Sequence, residues 1–107
     1  MITDKKELID AKSETIDGQV FTYGRIPAFD AAGLYDRIVD NKGIIPQDVK
    51  LKMLSFCFVD TEQGQVLLDK ETLVNTYVKK FQTLRTLVDN IFEYNFGFFG
   101  DGNDSQK

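Results

Sequence analysis

The 107-residue chain contains no histidine, no tryptophan, one cysteine and two prolines. Each shortage excludes something. Without imidazole there is no ordinary general base near neutral pH and no histidine metal ligand. A lone cysteine makes neither an intrachain disulfide nor a Cys-rich zinc site, so Cys57 points to a reducing compartment. Set between Phe56 and Phe58 with no base to activate it, Cys57 reads as a small buried hydrophobe. Long apolar runs are missing too. No stretch of ~18 apolar residues is present to span a bilayer, and Thr3-Asp4-Lys5-Lys6-Glu7 is unlike a signal-peptide core. Basic excess is also absent: 17 acidic against 13 basic side chains give a net charge of −4, which disfavours broad binding to a nucleic acid backbone. These absences lead us to expect a soluble intracellular binding protein without catalysis, cofactor, metal, membrane or nucleic acid partner.

What is present is apolar content of 42%, enough for one core in a chain of single-domain length. We expect one globular domain over residues 1–99 and a flexible polar tail over residues 100–107, where no large apolar residue occurs. The expected fold class is α+β, mainly α: an N-terminal β-hairpin packed on about three helices, the last one long.

Local signals place these elements. Thr3 can cap a short helical turn over residues 4–9. Asp17-Gly18 is a two-residue hairpin turn, because Gly supplies positive φ cheaply, and the following Gln19-Val20-Phe21-Thr22-Tyr23 is strand-like. Pro27 opens a helix in which Ala28, Ala31, Ala32, Tyr35, Ile38 and Val39 recur at helical spacing, with Gly43 as its stop. Pro46 opens a second helix, expected to run through Phe58. Ser55–Val59 suits a buried strand as well, but the lack of β-branched residues between Lys50 and Leu54 favours helix. The longest helix is expected from about residue 70 to about residue 94, capped by Asp69, with Leu73, Tyr77, Phe81, Leu84, Val88 and Ile91 on one face. Asn95 and Gly97 suit a chain reversal after it.

Candidate chemical sites are weak. Asp36 with Asp40, Asp60 with Glu62, and Asp101 with Asp104 lack the ligand density of a calcium loop and read as solvated surface. Lys79, Lys80 and Arg85 form a small basic face. The conspicuous constellation is aromatic: five of thirteen rings fall in Phe92-Glu93-Tyr94-Asn95-Phe96-Gly97-Phe98-Phe99. These rings either fold back to cover the core or stay exposed for a partner. We take Phe92, Tyr94, Phe96, Phe98 and Phe99 as the candidate partner-binding residues.

Three stretches carry a resemblance: Thr15–Tyr23, the helix opening Ile26-Pro27-Ala28-Phe29-Asp30-Ala31-Ala32, and the ending Glu93–Phe99. Together they resemble small phage tail assembly chaperones. The resemblance implies a protein in the host cell cytoplasm that binds the tape measure protein, keeps it soluble, helps recruit tail tube protein subunits and leaves the finished tail. It also implies a longer frameshifted form in many members. Self-association as a homo-oligomer is left open. The alternatives are a small structural tail-completion or connector protein, and a small acidic phage inhibitor of a host protein.

Overall fold

A computed structural model describes residues 4–100, with side chains described through residue 97. Phe98 and Phe99 continue the last helix in backbone terms; their side chains, Thr3 and the expected polar tail beyond Gly100 lie outside the described residues.

The chain begins with a single 3-10 turn, Lys5–Glu7, capped by Asp4. The Asp4 carboxylate accepts from the Lys6 N–H at 2.9 Å, while Glu7 accepts from the Asp4 N–H at 3.1 Å. That reciprocal box stops after one turn, because Ile9 already belongs to a strand.

Strands β1 (Ile9–Ile16) and β2 (Gln19–Arg25) form the expected hairpin. Asp17 and Gly18 both take positive φ, 52° and 81°, and Ile16 pairs with Gln19 directly across the turn. The pairing is irregular near its open end, where the register shifts between Ile9 and Lys12 and Asp10 sits at φ 50°. Gly24 faces this irregularity. A Cβ there would come within 2.7 Å of the Ile9 carbonyl oxygen and 2.9 Å of the Leu8 Cβ. Only glycine lets the two backbones approach so closely.

The hairpin is half of a larger sheet. Strands β3 (Cys57–Thr61) and β4 (Gly64–Leu67) extend it to four antiparallel strands in sequence order, β1-β2-β3-β4. This corrects the expectation of a helix running through Phe58: helix α2 (Gln47–Leu54) ends at Ser55, and Phe58 pairs with Thr22 on one side and Leu67 on the other. The run Phe56-Cys57-Phe58-Val59 is bulky and apolar on both pleats, which suits a central strand buried on two faces better than a helix end. Val59 and Cys57 pair with Phe21 and Tyr23, and all four are fully buried.

Among the described residues there are four helices, rather than about three, and α2 and α4 pack on the sheet. Helix α1 (Ala28–Asp40) starts after Pro27 and stops where Lys42 and Gly43 turn to positive φ, 60° and 85°. The expected helix over residues 70–94 is two helices, α3 (Glu71–Tyr77) and α4 (Phe81–Gly100). At the break, Val78 is extended (φ −94°, ψ 109°) and buried. The Gln19 side chain spans the gap, donating to the Tyr77 carbonyl at 2.6 Å and lying 3.5 Å from the Lys79 N–H as its acceptor. A side chain 58 residues away thus satisfies backbone groups that a continuous helix would have satisfied itself. The cap preceding α3 is Lys70, with no side-chain bond, instead of Asp69.

At the other end α4 does not reverse at Asn95 or Gly97 but continues to Gly100. One core results, formed by Phe21, Tyr23, Met53, Cys57, Val59, Leu68, Leu87 and Ile91 at its centre. A row of polar bonds fixes α4 along β1: Thr83 to Asp17 at 2.6 Å, Asn90 to Glu14, and the Tyr94 hydroxyl to the Asp10 carbonyl. Tyr23 also donates to Glu14, so this carboxylate holds a strand and a helix at once.

Candidate partner-binding surface

Helix α4 carries the aromatic residues singled out in the sequence, and its described rings lie against the fold. Phe96 is 3% exposed, 5.1 Å from the Phe92 ring and 5.7 Å from the Tyr35 ring between centroids. The trio joins α4 to α1 beside the main core. Phe92 is half-buried. Tyr94 packs edge-on against Tyr23 at 5.6 Å, with the Lys12 ammonium 5.5 Å from its ring centre. Covering the core is therefore what Phe96 does in this arrangement, while Phe92 and Tyr94 keep part of their surfaces in solvent.

Asn95 has a role the sequence reading did not assign. Its Oδ1 accepts from the Ile26 backbone N–H at 2.7 Å, and its Nδ2 donates back to the Ile91 carbonyl at 3.0 Å. Ile26 is buried, so its N–H has no water to turn to. The bond places the start of α1 beside the end of α4.

An open apolar groove of about 550 Å³ lies where those two ends meet. Pro27, Ala28, Ala31, Ala32 and Tyr35 line it from the α1 side, and Ile9, Ile26 and Phe96 complete the wall. Arg25, Asp36 and Asn95 supply its polar edge. The groove exists because α1 carries small residues here: alanine at 28, 31 and 32 leaves space that Leu or Met would fill. Phe29, next to Ala28 in the chain, is 94% exposed, the most exposed large hydrophobe among the described residues. Ile9, at 49%, opens the opposite side. Ala28 and Ala32 share the helical spacing of buried Ile38, yet both are exposed. Their small size was the available signal, and periodicity alone does not read it.

Cys57 is fully buried, and burial, with Glu14 adding to it, pushes its thiol well above the ordinary range. It is held as an unreactive thiol in the core. The acidic pairs are dispersed: the Asp60 carboxylate accepts from Gln65 at 2.9 Å, and among the described residues no three acidic or cysteine side chains gather as a metal site. Among the same residues no helix is long and apolar enough to cross a membrane.

No family model matches the chain, and neither the curated proteins nor the solved structures contain a match to it.

Proposed function

We propose that this chain is a non-catalytic phage tail assembly chaperone that holds a helical stretch of the tape measure protein in the groove between the start of α1 and the end of α4. The observation that carries the reading is that groove: open, mainly apolar, and lined on the α1 side by Ala28, Ala31 and Ala32. Exposed contiguous apolar surface of this kind suits an amphipathic helix laid apolar side down. The hydrogen bond from Ile26 to Asn95 joins two of the three stretches that carry the family resemblance, Ile26–Ala32 and Glu93–Phe99, at this surface. In the proposed role the protein keeps the long helical tape measure soluble until tail tube subunits take its place, acting in the host cytoplasm.

Co-expression with the tape measure protein of the same genome tests the reading. The expected result is a soluble complex that forms with the native chain and fails with Phe29→Ser or Ala32→Arg, both changes at exposed positions that leave melting behaviour near native. Lack of any effect on tape measure solubility overturns the proposal. So does recovery of the chain from purified finished virions, which favours a structural tail-completion or connector protein.

A further inference from the structure

A second groove, of about 640 Å³, lies on the other side of the start of α1 and shares only Pro27 with the first. At ~100° per residue, Asp30 falls on the helix face opposite Ala28, Ala31, Ala32 and Tyr35, so the two grooves flank α1 rather than merge. The second has an apolar floor formed by Pro27, Leu51, Phe56 and Leu67. The charged residues lining it are mainly acidic, Glu7, Asp30, Asp48 and Asp69 with the cation Lys52.

These carboxylates are not equivalent. Asp48 is engaged by Arg37, which reaches it with two N–H groups at 2.7 and 3.0 Å. Glu7 accepts from the backbone of Asp4. Lys52 is drawn over the Phe56 ring, 5.8 Å from its centre. Asp30 and Asp69 are left facing the groove with no ion-pair partner among the described residues. An apolar floor between uncompensated carboxylates is complementary to a segment that is itself apolar on one side and cationic along its edges.

We propose that this second groove docks an amphipathic helical segment of a partner protein whose apolar side is flanked by lysine or arginine, with Asp30 and Asp69 contacting those cations. The inference goes beyond the tail assembly reading and stands whichever protein carries the segment. It separates two kinds of surface on one small chain: an apolar groove with little charge, and one that selects by sign.

Binding of designed peptides to the whole chain tests it. The probe is a fluorescent Leu/Lys helix of about 18 residues, ~27 Å long, compared with versions in which every Lys is Gln or Glu. The Lys peptide is expected to bind best and to weaken as salt rises from about 50 to about 300 mM, since exposed charge pairs are screened. Asp30→Asn with Asp69→Asn is expected to weaken it by roughly fivefold. Glu62→Gln with Asp89→Asn, the same loss of charge placed elsewhere, should change it less than about twofold. Ala32→Arg, in the first groove, should also leave it unchanged. Circular dichroism of each variant reports whether the fold is retained.

Equal binding of the Lys and Gln peptides overturns the proposal, as does an equal loss in both charge-matched pairs. Failure of the Lys peptide to bind does the same. A concentration-dependent dimer that the Asp30→Asn, Asp69→Asn pair abolishes overturns it by assigning the groove to a second copy. None of these outcomes bears on tape measure solubility, so the two proposals fail separately.

Discussion

The Ile26 backbone N–H donates to Asn95 Oδ1 across a sequence separation of 69 residues, and it does so at a buried position. This bond closes the chain between the strand exit and the last helix. Asn95→Ala leaves the Ile26 N–H without an acceptor, and leaving one buried polar group unpaired costs about 1–3 kcal/mol. Urea unfolding should show that loss. Asn95→Asp retains an acceptor oxygen at the same place and is expected to be milder than alanine.

Gly24→Ala is expected to be severe for one methyl group. The new Cβ meets backbone, the Ile9 carbonyl oxygen, and therefore cannot be relieved by a rotamer change. Overpacking of this kind costs about 1–3 kcal/mol. Amide exchange should show faster opening around residues 8–10 than in the sheet centre, locating the strain at the hairpin's open end.

Gly33→Ala should stabilise the protein. Gly33 is an exposed interior residue of α1, and a Cβ there meets nothing within 4 Å. Replacing a helix-interior glycine with alanine gains about 1 kcal/mol where space allows. A rise in melting temperature checks it, and peptide or partner binding should be unaffected.

Alkaline conditions should destabilise the fold through two buried groups. Burial, followed by Glu14, raises the titration of both the Tyr23 hydroxyl and the Cys57 thiol above their ordinary values. Unfolding releases each to titrate normally, so the unfolded state sheds protons first. Their contribution is intact below about pH 8.5 and is lost as pH rises through the unfolded values and on toward the folded ones. Unfolding free energy measured from about pH 8 to about pH 11 should therefore fall, and Tyr23→Phe with Cys57→Ala should flatten the slope.

Thiol labelling gives an independent check on the core. Cys57 is fully buried, so alkylation of the native protein should proceed only as fast as the fold opens. Adding urea below the transition should accelerate labelling steeply, whereas an accessible thiol would react at once.

The elements legible in the sequence were those whose cues are local. Asp17-Gly18 specifies its turn through two positive φ angles, and Pro27 and Gly43 bound α1 by what proline and glycine do to the chain. Elements set by distant contacts were not legible. The break at Val78 has no proline or glycine; it depends on Gln19, which sequence periodicity cannot connect to Tyr77. The strand at Cys57 carried a two-face apolar pattern compatible with helix, and its register comes from pairing with β2 and β4. At the candidate surface, the aromatic ending was conspicuous in the sequence, but the packing of Phe96 against Tyr35 and Phe92 was not. The first groove is lined by small side chains on α1, and small residues carry no periodic signature that distinguishes a groove from a core.

The polar row between β1 and α4 bears on how the protein is made. Its three rungs join Asp17 to Thr83, Glu14 to Asn90 and Asp10 to Tyr94, separations of 66, 76 and 84 residues. During synthesis the first strand leaves the ribosome long before the helix that secures it exists, and its partners emerge in the order 83, 90, 94. The hairpin waits until residues 83–94 have been made, with Glu14 and Asp17 in water, and is then fastened from its turn toward its open end. Tyr94 makes the last of these connections, so the row is complete only once this part of α4 has emerged.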